Sequence, residues 1–129
     1  MGQLGSRAID RISGRAWEGL REKFLTISHH ILGVSPDTFA ELTTIYVKFT
    51  LTSQNTSPVY AAVWLKNSRS LTCGFSLPED FNDAALGPPP EGMKYKGLTR
   101  YFTITPEDEI PAKCGEWSEI AYRLVASHS

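Results

Sequence analysis

The sequence has no surplus of either charge. Thirteen lysines and arginines face fourteen aspartates and glutamates over 129 residues, a formal net charge of -1. No global basic field therefore draws in nucleic acid or an anionic membrane, and any such binding has to come from a local patch. Long hydrophobic runs are missing too. Nothing approaches the roughly 18 apolar residues of a membrane span, and the N-terminus has no signal-peptide hydrophobic region. The expectation is a soluble, cytoplasmic protein with no membrane partner. Cysteine is scarce: Cys73 and Cys114 are the only two. Without a Cys-x-x-Cys there is no thioredoxin-like or zinc-ribbon reading, and in a reducing compartment both thiols are expected free and at least partly buried.

Signatures of catalysis are equally thin. There is no Gly-x-Ser-x-Gly elbow, phosphate loop or dinucleotide fingerprint. His29 and His30 are adjacent, so on a helix they point about 100° apart and cannot share a ligand. A zinc-binding helix spaces its histidines four apart. His128 lies close to the C-terminal end. Cys73 is the one thiol that falls on a predicted strand and the best candidate nucleophile there, but no base accompanies it, which favours a buried structural thiol. Glu79, Asp80 and Asp83 lack the glycine-centred spacing of a calcium loop. The expectation is a non-catalytic protein without cofactor or metal.

What the chain does have is core-forming material, with 41% hydrophobic and 11% aromatic residues, enough for one folded domain. Residues 1–14 read as an N-terminal arm, flexible or a short helix, residues 15–126 as the domain and 127–129 as a tail. The opening MGQLGS also fits the loose N-myristoylation pattern. Trp17, Leu20, Phe24, Ile27 and Ile31 step by three and four and mark one helix stripe, with Gly33 as its C-cap. Ser35 and Pro36 predict a second, short helix to about Leu42. The period then changes to two: Ile45, Val47, Phe49 and Leu51 alternate with Thr44, Tyr46, Lys48 and Thr50. Further strands follow in VYAAVWLK, LTCGF and LTRYFTI, joined by short turns over the first three, as in an antiparallel meander. Residues 77–92 read as an acidic, then proline-rich loop. Thr105 and the acids after it predict a helix start, with Trp117, Ile120, Ala121 and Leu124 as the apolar face of the closing helix. The fold class expected is α+β, an antiparallel sheet of about four or more strands with N- and C-terminal helices packed on one face.

AWEGLREKFL, TIYVKFT, VYAAVWLK, SLTCGFSLP with its acidic-proline loop, YKGLTRYFTIT and EWSEIAYRL together span Trp17 to Leu124. In these segments the chain resembles the family called domain of unknown function 5655, or "predicted transport protein", and more loosely the YdhG-like domains. The resemblance implies this fold and implies no reaction and no ligand. Near the last strand, where many members carry an aspartate and glycines, this chain has RYFTITPEDE.

A sheet covered by helices on one face leaves the other polar, dimeric or ligand-binding. Tyr46, Lys48, Tyr60, Trp64, Lys94, Tyr95, Lys96 and Arg100 are the candidates for that open face and the 88–101 loop. Aromatics with a few cations suit an unknown protein or a small anionic or aromatic ligand. The competing reading is single-stranded nucleic acid on the basic-aromatic segment 94–102, where rings stack on bases and cations meet phosphates. The acidic stretches EDFND and PEDE on either side oppose it.

Overall fold

The chain's alternating apolar segments form one six-stranded sheet, backed by helices, in a computed structural model that describes residues 3–4, 6–54 and 56–128. Met1, Gly2 and Gly5 of the N-terminal hexapeptide read as a lipidation pattern lie outside the described residues. The strands are β1 (Gln3–Leu4), β2 (Phe39–Leu42), β3 (Tyr46–Thr50), β4 (Val59–Asn67), β5 (Ser70–Phe75) and β6 (Arg100–Ile104), and the helices α1 (Ser6–Arg11), α2 (Arg21–Leu32) and α3 (Cys114–Ser127). Their spatial order is their order in the chain. β2 to β6 form an antiparallel meander, and the short β1 lies parallel beside β2.

The tryptophan-led stripe packs as its spacing predicts. Trp17, Leu20, Phe24, Ile27 and Ile31 are all buried in one cluster with Val47, Phe49, Val63, Leu71, Cys73 and Phe102 from the sheet. The helix itself is interrupted. Residues Arg15–Trp17 form a 3-10 turn before α2 begins at Arg21, and Arg21 holds this turn from below. Its Nε donates to Ile12 O at 2.8 Å, and one terminal nitrogen to Ser13 O and Gly14 O at 2.9 and 2.8 Å. Within the N-terminal arm, Ala8 of α1 and Ile12 just after it join the same core. From the C-terminal side α3 adds Cys114, Trp117 and Ala121, with Trp117 about 6 Å from both Phe75 and Phe102 by ring centroids. All three helices therefore cover one face.

Two helix expectations are corrected. Ser35 and Pro36 do not start a helix. The Asp37 N–H donates to Ser35 Oγ, and the Thr38 hydroxyl lies 2.9 Å from both Leu32 O and Ser35 O. Cap chemistry closes a turn here because Phe39–Leu42 gains a full ladder with β3, and sheet pairing outweighs a marginal one-turn helix. Thr105 likewise caps a turn: Asp108 Oδ2 accepts from both the Thr105 N–H and its hydroxyl. Those bonds hold the Asp108 carboxyl below its usual range. Helix α3 begins only after Pro111, at Cys114.

The register of β3 on β4 shifts between Phe49 and Thr50, so that Phe49 opposes Ala61 and Thr50 opposes Val59. Tyr60, the residue left over, turns to the helix face as bulged residues do. Its hydroxyl donates to Ile31 O at 2.8 Å, and its ring meets Tyr122 edge-on at 5.5 Å. Burial raises the phenol's pKa well above its usual value, against a smaller opposite pull from the Thr38 hydroxyl.

Phe24 is fully buried at the centre of the α2 stripe. Phe24→Ala is expected to cost about 3–5 kcal/mol through lost transfer energy and the cavity left behind, measured by urea unfolding. A loss below half of one kcal/mol would place the stripe on the wrong face.

Candidate functional site

The second sheet face is not open. Ala62 and Trp64 on β4, Tyr101 on β6 and Leu98 from the loop form a separate buried cluster, with Ile45, Tyr46, Val59, Met93 and Tyr95 packed against it. The cover is the proline-glycine loop, not a helix. Leu98 seals one end, Gly87 pairs with Tyr101 through two backbone bonds, and Thr99 N–H donates to Phe75 O. The signal was in the sequence: YAAVWL is apolar at successive positions, the mark of a strand buried on both faces.

Tyr101 is the keystone of this face. Its ring lies across Gly74, its cross-strand partner. A Cβ placed on Gly74 would come within 2.5 Å of the Tyr101 ring, so glycine here makes room for an aromatic. The Tyr101 hydroxyl accepts the Tyr95 N–H at 3.0 Å, and its ring sits 5.7 Å from Trp64. Burial raises the Tyr101 pKa, and the Tyr95 N–H draws it partly back. Trp64 in turn stacks against Tyr46 at 5.4 Å, and Tyr46 meets Tyr95 edge-on at 5.7 Å. The result is a chain of rings from the floor of the sheet out to solvent, ending in the half-buried Tyr46 and Tyr95.

The expected residues divide accordingly. Tyr46, Trp64, Tyr95 and the flanking Lys94 and Lys96 come together on this face, with Trp64 as buried floor and both lysines exposed. Lys48 shares the face but pairs with Glu41 across β2 and β3 at 3.3 Å. Tyr60 belongs to the other face, for the register reason above. Arg100 also leaves the set. It alternates with Tyr101 and points away from that ring. Its guanidinium donates to the carbonyls of Glu79, Phe81 and Thr99 at 2.8–3.1 Å and so pins the acidic loop. The sequence pattern places Tyr101 only within the 94–102 segment and does not single out Lys66 at the end of β4. A Cβ on Gly92 would lie 3.6 Å from the Lys66 Nζ, so this ammonium sits at the edge of the loop. Among the described residues, Lys66, Lys94 and Lys96 have no carboxylate partner.

The thiols lie in the helix-side core and are free. Burial raises the Cys73 pKa well above its normal value, with Cys114 adding to the rise. The Cys114 thiol is pushed up to about 12 by burial, with the Ser118 hydroxyl pulling the other way. His29 and His30 are exposed at the end of α2. No group of three or more histidine, cysteine or acidic side chains is placed to hold a metal among the described residues. No helix there is long and apolar enough to cross a membrane.

No protein-family model, curated protein or solved structure matches the chain.

Gly74→Ala is expected to drive the Tyr101 ring from its seat and to destabilise the protein by about 1–3 kcal/mol, the usual cost of overpacking; urea unfolding and the loss of ring-current shifts at Trp64 would show it. Both thiols should react with iodoacetamide at least about a hundredfold more slowly in the folded protein than in denaturant, since the thiolate is the nucleophile and both groups are buried and neutral. Rapid labelling of the native protein at pH 8 would overturn that assignment.

Proposed function

We propose that this protein is a small, non-catalytic interaction or ligand-binding module that works through the second sheet face and the 88–101 loop. The observation that carries the reading is one juxtaposition. A ladder of rings reaches the surface at Tyr46 and Tyr95, and the cations beside it, Lys66, Lys94 and Lys96, have no carboxylate partner among the described residues. Cations that are not used to hold the fold are free to meet an anionic group, while ring edges supply apolar contact with defined geometry. The core thiols and the exposed histidines offer no activated nucleophile or base to this face, which supports a binding role over a catalytic one. A cytoplasmic setting and the resemblance to the domain of unknown function 5655 family belong to the same proposal.

Single-stranded nucleic acid is the second reading, and the geometry weakens it. Of the segment 94–102, Arg100 is bound to backbone carbonyls, and Tyr101 and Phe102 are buried on opposite faces. That leaves Lys94, Tyr95 and Lys96, too short a surface for several stacked bases.

The test is an NMR titration of the labelled chain with mixed oligonucleotides and then a metabolite library. Shifts grouped on Tyr46, Trp64 and residues 88–99 are expected for a small ligand or protein, with Tyr95→Ala weakening binding most. A nucleic-acid partner would instead show log affinity falling linearly with log salt, at about -0.7 per phosphate contact on a single strand, and Lys94→Gln with Lys96→Gln would remove most of the binding. Shifts elsewhere, or none with any compound, would sink the binding reading.

A further inference from the structure

The stretch from Gly92 to Gly97 is attached to the sheet differently from the rest of the loop. Both glycines have positive φ, +79° and +94°, a conformation open to glycine and strained for other residues. Between them the side chains alternate. Met93 and Tyr95 pack down on the ring cluster, while Lys94 and Lys96 are exposed. The backbone bonds around it, Met93 N–H to Pro90 O and Leu98 N–H to Tyr95 O, stay inside the loop. Its ties to the sheet are the Tyr95 N–H bond to the Tyr101 hydroxyl, the edge-on contact of Tyr95 with Tyr46 and the packing of Met93 on the ring cluster. Both sides of it are better anchored, by the Gly87–Tyr101 bridge upstream and the Thr99–Phe75 bond downstream. A short piece with few bonds, set between anchored ends, opens locally without unfolding the whole.

We propose that residues 92–97 form a flap, hinged at Gly92 and Gly97, that lifts Tyr95 from Tyr46 to admit a flat ring bearing an anionic group. The anionic group stays at the rim of the flap, within reach of the long, solvent-facing side chains of Lys94 and Lys96. The inference rests on the binding reading above and adds a ligand class and a way in. Lifting Tyr95 bares the Tyr46 ring beside Trp64, which suits a flat ring by offset or edge-on stacking. Charge favours an anion: Lys66 sits beside the Gly92 hinge, and two more cations ride on the flap, against Glu91 at its base. Lys48 is already neutralised by Glu41.

The experiment uses the full chain, nitrogen-15 labelled, with naphthalene-2-sulfonate as the probe. The Tyr95 amide, the one that bonds Tyr101, is expected to exchange with solvent at least about tenfold faster than Val63 or Cys73 in the sheet, as local opening requires. Tyr101→Phe keeps the ring and removes the acceptor, so it should strip protection from Tyr95 while leaving Val63 unchanged. The sulfonate should shift Tyr46, Trp64 and residues 92–97 together, and Lys94→Gln with Lys96→Gln should weaken it about tenfold, as loss of charge-assisted contacts does. A Tyr95 amide that exchanges only as slowly as Val63 overturns the flap, even if the sulfonate binds and the binding reading stands. A flap that opens while the sulfonate shifts nothing on this face, or binds as well without the two lysines, overturns the ligand class.

Discussion

β4 runs through the middle of the sheet with every residue from Tyr60 to Leu65 buried, and that two-sided burial constrains everything around it. A strand that is apolar on both faces needs a cover on each, because an uncovered face of rings would sit against water at about 25 cal/mol for each Å² exposed. The helices supply one cover, through the stripe that runs from Trp17 to Ile31 and the Cys114–Ala121 face of α3. With the helices gathered on one side, the loop between β5 and β6 has to supply the other. Its length, its prolines and its positive-φ glycines follow from that task, since it must reach back across the sheet and turn twice while doing so.

The loop is held at its two ends by different means. On the upstream side, Arg100 gathers the carbonyls of Glu79 and Phe81, and Leu77 exchanges bonds with the Thr99 side chain. On the sheet, the close approach of Tyr101 to Gly74 gives the loop a flat ring to rest on and a hydroxyl to bond. A basic residue in this segment is therefore either structural or free according to which way it points. Arg100 faces the carbonyls and is spent on the fold. Lys94 and Lys96 face solvent and pair with no carboxylate among the described residues.

The two faces also differ in chemistry. The helix side is large, contains both thiols and the Tyr60 phenol, and holds each of them in its neutral form by burial. The loop side is small and aromatic, with cations at its rim. A dry core that suppresses ionisation suits stability, whereas a thin cover over a ring cluster suits recognition. On this division the larger helix-side core and the smaller ring cluster lie on opposite sides of one sheet, each with its own cover.

Residue periodicity alone determined the α+β class, the α2 stripe, the alternation of Val47 and Phe49 with Tyr46 and Lys48, and the apolar face of α3, because burial of one face imposes its period directly on the sequence. The ring-and-cation character of the 94–96 stretch was legible for a similar reason: composition is local. Tertiary structure decided the rest. The cap residues Ser35 and Thr105 close turns, since a cap says where a helix is able to begin and not whether strand pairing will outweigh it. Tyr60 changes face through a register shift against β3, which no single strand's pattern contains. Arg100 found carbonyls that lie some twenty residues earlier in the chain, and Trp64 became a buried floor because a loop folded over it. Each of these depends on contacts between segments far apart in sequence, and those are fixed only when the sheet and its two covers come together.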